Sequence, residues 1–126
     1  MPPATPTVNV VENYRAAVTA NPASAEARCN LGWGYYGHKQ FAEAIKEFQE
    51  ALALDANWLD AHYGLALAQK GAGAKPAAVA AFEKVAALAS QIEDKVRGGM
   101  LLRLAHGQIN QLNKGDWDID KELRHH

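Results

Sequence analysis

One cysteine and five histidines are the residues of this chain best suited to covalent or metal chemistry. Cys29 would need a histidine base beside it to act as a nucleophile, and none stands near it in sequence. A small buried thiol is the commoner use of such a residue. His38, His62 and His106 fall singly on separate stretches. They lack the i, i+4 spacing that brings two imidazoles onto one helix face to hold a metal. The terminal His125-His126 pair carries no functional weight. Gly71-Ala72-Gly73-Ala74-Lys75-Pro76 has neither the spacing of a phosphate-cradling loop nor a strand before it. Basic residues are interleaved with acids and the formal net charge is -1, which disfavours nucleic acid as a partner. No catalytic residue, cofactor or metal is therefore expected, and the protein does not read as an enzyme. Whatever it does must be done by a surface.

The elements that shape that surface follow from composition and periodicity. The chain has 126 residues, enough for one domain with a modest core that needs neither disulfide nor metal. Hydrophobic residues make up 48%, rich in alanine, and charged residues 21%, a composition tilted toward helix. A lone cysteine forms no internal disulfide, and the chain reads as suited to a reducing compartment. The start, Met1-Pro2-Pro3-Ala4-Thr5-Pro6, has no basic residue and no apolar core, so it does not read as a signal peptide. No apolar stretch approaches the ~20 residues that span a bilayer. The expectation is a cytoplasmic protein with no membrane insertion.

Shifting the chain by 34 residues brings like onto like. Ala27 falls on Ala61, Leu31 on Leu65, Gly32 on Ala66 and Gly37 on Gly71. Ala44 falls on Ala78, Phe48 on Phe82, Ala51 on Val85 and Leu54 on Leu88. The same shift backwards places Val10, Tyr14, Ala17 and Pro22 on Ala44, Phe48, Ala51 and Ala56. Within each half-unit these positions keep the helical period: Ala27, Leu31 and Tyr35 share a face, as do Ala44, Phe48 and Ala51. No segment alternates long enough to be a strand.

Breaks separate the half-units. Ser24 is placed to cap a helix starting near Ala25, with Glu26 favouring its first turn. Gly71-Ala72-Gly73 ends a helix and Pro76 suits the first turn of the next. Ser90-Gln91-Ile92-Glu93 has capping-box spacing, and Asn113 with Gly115 would stop the helix that begins there. Residues 1–7 are expected to be disordered. A helical domain spans 8–113, with units 25–58 and 59–92 and capping helices at 8–20 and 91–112. Residues 114–126 form a C-terminal tail with a short helix of its own.

The first unit carries Leu31-Gly32-x-x-Tyr35 and then Ala44-x-x-x-Phe48-x-x-Ala51. With its 34-residue length this resembles the tetratricopeptide repeat. The family often has Trp three residues before that Leu and Pro near the unit's end; Arg28 and Ala56 stand there instead. The second unit keeps Leu65, Ala66, Ala78 and Phe82 but has Gln69 where Tyr is usual. The resemblance implies an all-α solenoid of helix–turn–helix units, about six antiparallel helices in a right-handed superhelical stack. Gly32, Ala44, Ala66 and Ala78 would let paired helices approach, with Phe48 and Phe82 filling the space beside them.

In proteins of this kind the first helix of each pair lines a concave groove. The resemblance places Glu26, Cys29, Asn30, Trp33 and Tyr36 there from the first unit, and Asp60, Tyr63, Gly64, Leu67 and Lys70 from the second. The closing helix adds Arg97, Leu101 and Leu104. Trp33, Tyr36 and Tyr63 either anchor a partner or fill the solenoid. Asn30 either fixes a peptide backbone or faces solvent. Some members clamp the C-terminal carboxylate of chaperones with two Lys, an Arg and two Asn. Here the Lys and Asn places hold Cys29 and Trp33, and Gly64 takes the second Asn place, so the clamp is absent. The groove reads instead as a seat for an amphipathic helix or an extended apolar peptide.

The tail Asp116-Trp117-Asp118-Ile119-Asp120-Lys121-Glu122-Leu123-Arg124 has acids first and bases later, as a short helix prefers. Trp117, Ile119 and Leu123 would dock on the last helix of the same molecule or enter a neighbour's groove. The expected function is an adaptor or scaffold module that binds a protein or peptide in the groove. The alternative is a structural subunit that self-assembles into a homo-oligomer through its tail or by repeat stacking.

Overall fold

The chain is described by a computed structural model that gives the backbone of residues 6–125 and the side chains of residues 10–113. Six helices follow one another: α1 (Pro6–Ala20), α2 (Ala25–Gly37), α3 (Phe41–Leu54), α4 (Leu59–Gly71), α5 (Lys75–Ala89) and α6 (Lys95–His125). No strand occurs among the described residues. Residues 1–5, the greater part of the segment expected to be disordered, lie outside the described residues, while Pro6 and Thr7 already belong to α1.

The turns repeat with the sequence. Ser24 caps α2, its Oγ accepting the Ala27 amide at 3.1 Å. Ser24 N bonds Asn21 O at 3.1 Å, and Trp58 N bonds Asp55 O at 3.2 Å, the same turn one unit on. After α2 the chain turns through Lys39 at φ 61, and after α4 through Gly73 at φ 83. Gln40 N reaches Tyr35 O at 3.0 Å, and Ala74 N reaches Gln69 O at 2.9 Å. Equal turns at equal spacing make consecutive helices antiparallel and stack one pair on the next.

The interior is built from alanines and a few large residues. Phe48 and Phe82 are fully buried. Phe48 lies between α2 and α4: a Cβ on Gly32 would come within 2.8 Å of its ring, and one on Gly64 within 2.4 Å. Glycine is required at these two places because the ring already occupies the side-chain position. Ala44, Ala51, Ala61 and Ala68 close around the same ring. Phe82 sits with Ala66, Ala78 and Ala81, against Tyr63, Leu67, Ile109 and Leu112. Val18, Ala27 and Leu31 bind α1 to α2 with Val11, Tyr14 and Tyr35.

The closing helix departs from the expectation at both ends. It starts at Lys95, not 91. Ser90 does not cap it; its Oγ donates back to Ala87 O at 2.8 Å and finishes α5. Asp94 is the cap, Oδ1 accepting the amides of Val96 at 3.1 Å and Arg97 at 3.2 Å. A carboxylate reaching the amides two and three residues on satisfies the open helix end better than a hydroxyl already engaged behind it. Nor does the helix stop near 112: it runs through Asn113 and Gly115 to His125. Each of those residues costs a helix only ~1 kcal/mol or less, and no proline enforces a break. The separate tail helix expected over 114–126 is therefore the continuation of α6. The docking expected of Trp117, Ile119 and Leu123 falls on side chains outside the described residues.

Candidate functional site

Register of the 34-residue unit puts α2, α4 and the first part of α6 in equivalent places, and their inner residues divide into two groups. At the N-terminal end, Glu26, Cys29, Asn30, Asp60 and Arg97 line one open concavity of about 430 Å³. Asp55, Asn57, Trp58 and Leu59 complete the wall. These four sequence reasoning missed. They belong to the turn before α4, and the signal that could have found them was the repeat itself, which sets each inter-unit turn beside the next first helix.

Asp60 organises this end. Its Oδ2 accepts the Trp33 indole N–H at 2.9 Å and the Cys29 thiol at 3.4 Å. Cys29 is only 1% exposed, so it forms the floor and offers a partner no accessible contact, a correction to its place in the expected groove set. A thiol in the second turn of a packed helix is covered by the next unit, which the helix period alone does not reveal. Burial pushes the Cys29 thiol up to about 12, and the negative charge of Asp60 acts in the same direction. The cysteine is thus a neutral hydrogen-bond donor and the opposite of an activated nucleophile.

The second group is held mainly by its neighbours. Trp33 is half-buried, edge-on to Phe48 with ring centroids 5.2 Å apart and to Tyr36 at 5.8 Å. Tyr36 tilts against Phe41 at 5.7 Å, and Tyr63 meets Phe82 edge-on at 5.9 Å. Each of the three rings is half-buried and braces the interior through these contacts. Leu67 and Leu101 are half-buried, while Gly64 is covered by Phe48 and Leu104 is 46% exposed. Lys70 crosses to the closing helix, its Nζ donating to Gln108 Oε1 at 2.7 Å and Gln111 Oε1 at 3.0 Å. It clasps α4 to α6 and is not a free cation.

The charge of the concavity is set by three carboxylates, Glu26, Asp55 and Asp60, against the guanidinium of Arg97. Among the described residues no three of His, Cys, Asp or Glu converge as metal ligands. His62 Nε2 bonds Ala56 O at 2.8 Å and so links α4 to the end of the preceding unit. No helix among the described residues is long and apolar enough to cross a membrane.

Comparison with known proteins agrees with this geometry. The sequence model of the tetratricopeptide repeat matches residues 25–58, the unit formed by α2 and α3. Residues 25–58 form a tetratricopeptide repeat. No curated protein matches it in sequence. Among solved structures, PcrH in complex with the chaperone binding region of PopD is 14% identical, with a TM-score of 0.79 over 87% of this chain and 80% of that one. The first tetratricopeptide domain of Spaghetti (RPAP3), bound to the HSP90 peptide SRMEEVD, is 18% identical, with a TM-score of 0.70 over 83% of this chain and 75% of that one. The Arabidopsis OM64 domain is 19% identical, with a TM-score of 0.71 over 83% and 81%. These likenesses show the fold, an all-α stack of tetratricopeptide-type helix pairs.

Proposed function

We propose that the protein is a non-catalytic interaction module that receives a segment of another protein along the inner faces of α2, α4 and α6. The observation that carries this reading is the concavity of about 430 Å³ at their N-terminal ends, with Trp58 in its wall and an excess of carboxylates. PcrH and Spaghetti were each solved with a peptide partner, which supports the same use of this fold. The charge differs from what an acidic chaperone tail needs. Glu26, Asp55 and Asp60 would repel a terminal carboxylate, and Arg97 alone opposes them. The segment that fits is apolar with at least one basic side chain, the base set in the concavity and the apolar part along Trp33, Tyr63 and Leu101. A single buried thiol held neutral suits the reducing environment of the cytoplasm.

The test is titration of two labelled peptides, an apolar one carrying lysines and the acidic SRMEEVD, at low and raised salt. Binding of the basic peptide, weakened about 10-fold or more by Glu26→Lys with Asp55→Lys, is expected. Tighter binding of the acidic peptide, or no effect of the two substitutions, would overturn the reading.

A further inference from the structure

The charged groups around the concavity differ in how firmly they are held. Glu26 and Arg97 are exposed, and neither side chain makes a hydrogen bond or ion pair among the described residues. Long side chains in that condition lose rotamer freedom when a ligand arrives, which offsets part of what they contribute. Asp55 is tied to its own turn, its Oδ1 accepting the Asn57 amide at 3.1 Å. Asp60 is held from the groove itself. Trp33 Nε1 donates to its Oδ2 at 2.9 Å and Cys29 Sγ donates to the same oxygen at 3.4 Å. Both donors lie on Oδ2, which leaves Oδ1 without a donor among the described residues. Asp60 is exposed and lines the concavity, so a carboxylate fixed through one oxygen presents the other to a ligand.

The group that fixes it is itself fixed. The Trp33 ring stands edge-on to Phe48, with centroids 5.2 Å apart, and Phe48 is fully buried. Phe48 in α3, Trp33 in α2 and Asp60 in the first turn of α4 thus form one line of contacts from the core to the mouth of the concavity.

We infer that Asp60 is the residue that selects a basic side chain in the bound segment, and that Trp33 is its positioning residue, acting through the indole N–H. The inference rests on the reading of the concavity as the seat of a segment that carries a base. A lysine there lays its methylene stem along the indole and donates its ammonium to Asp60 Oδ1, a charge-assisted bond. Glu26 and Asp55 attract the same base through space. Replacing Trp33 by phenylalanine keeps a ring against Phe48 and changes no charge, but it frees the carboxylate to turn away from the base.

Fluorescence anisotropy on the full chain tests this with two labelled peptides. One is the apolar peptide carrying lysines; the other has norleucine in place of each lysine. The readout is the ratio of their dissociation constants, which a merely structural loss leaves unchanged because it weakens both peptides alike. Wild type should prefer the lysine peptide by about 10-fold. Asp60→Asn keeps an acceptor for the indole and removes the charge, and should cut that preference to about 2-fold or less. Glu26→Gln is the same loss of charge in the same concavity, and should lower the preference by about 2-fold at most. Trp33→Phe should lower it by about 3-fold, and should have no further effect on it once Asp60 is asparagine. Circular dichroism checks that each variant is folded. Equal losses of preference from Asp60→Asn and Glu26→Gln, or a preference untouched by Trp33→Phe, would overturn this inference and leave the groove reading standing. A lysine peptide that fails to bind wild type would overturn both.

Discussion

Trp33 donates its indole N–H to Asp60 Oδ2 at 2.9 Å, joining the first helix of one repeat to the first helix of the next across 27 residues of sequence. The same oxygen accepts the Cys29 thiol, so one carboxylate serves both the interior and the rim of the concavity. Asp60→Ala and Trp33→Phe should each destabilise the fold by about 1 kcal/mol in urea unfolding, since each removes one partner of a charge-assisted bond. The double variant should cost less than the sum, with a coupling of about 0.5–1.5 kcal/mol. Strict additivity would mean that the contact contributes nothing.

Cys29 gives the protein an alkaline weakness. Its thiol titrates near 9.0 when unfolded and near 12 in the fold, because burial disfavours the thiolate. Between those values the unfolded chain has lost the proton and the folded chain has kept it. Stability should therefore be unaffected by this group below pH 9 and fall as pH rises above it. Cys29→Ala should show a shallower decline from pH 9 to 11 than wild type, whatever its stability at neutral pH. Equal slopes would refute the burial argument.

Gly64 and Gly107 both sit in helices but should respond oppositely to alanine. A Cβ on Gly64 would come within 2.4 Å of Phe48, whose ring is fully buried and cannot withdraw. Gly64→Ala should cost about 1–3 kcal/mol by overpacking. A Cβ on Gly107 meets nothing within 4 Å, and Gly107→Ala should stabilise by about 0.5–1 kcal/mol through helix propensity alone. Phe48→Ala should cost about 3–5 kcal/mol. Thermal or urea unfolding of the three checks the ordering.

Lys39 holds the left-handed conformation, at φ 61, that Gly73 holds one unit later. A side chain there is strained by about 1 kcal/mol, and glycine is free of that strain. Lys39→Gly should therefore raise stability by up to about 1 kcal/mol, while Gly73→Lys should lower it by a similar amount.

Gln69 stands where the first unit has Tyr35. The Tyr35 hydroxyl accepts a bond from Arg15 Nη2 at 2.9 Å, whereas Gln69 Oε1 is buried and finds no hydrogen-bond partner among the described residues. Leaving a buried carbonyl oxygen unmatched costs about 1–3 kcal/mol. Gln69→Met keeps the shape and removes the polar atom, and should stabilise the protein by about 1 kcal/mol in urea unfolding. A loss of similar size would show that the amide has a partner in solution.

The repeat was legible because its physics is local. The 34-residue period, the small residues at Gly32, Ala44, Ala66 and Ala78, and the rings of Phe48 and Phe82 fix helix lengths, turns and the pairing of neighbours. All of these depend on contacts within one unit or between adjacent ones. Ser24 and Gly73 announced their turns in the same way. Lys39 did not, since a lysine gives no sign of a left-handed backbone that the flanking helices impose.

What the sequence by itself determined was therefore the unit and its repetition, an all-α stack of helix–turn–helix pairs. Only the tertiary structure decided what the side chains face. It buried Cys29 beneath Asp60, turned Lys70 into a clasp on Gln108 and Gln111, and set Asp55 and Trp58 of a turn into the wall of the concavity. It also chose Asp94 over Ser90 as a cap and carried α6 past Asn113. The physical reason is common to all of these. Each outcome is a competition between partners brought together by folding, and a helical period specifies the face of a residue without specifying what will lie opposite it.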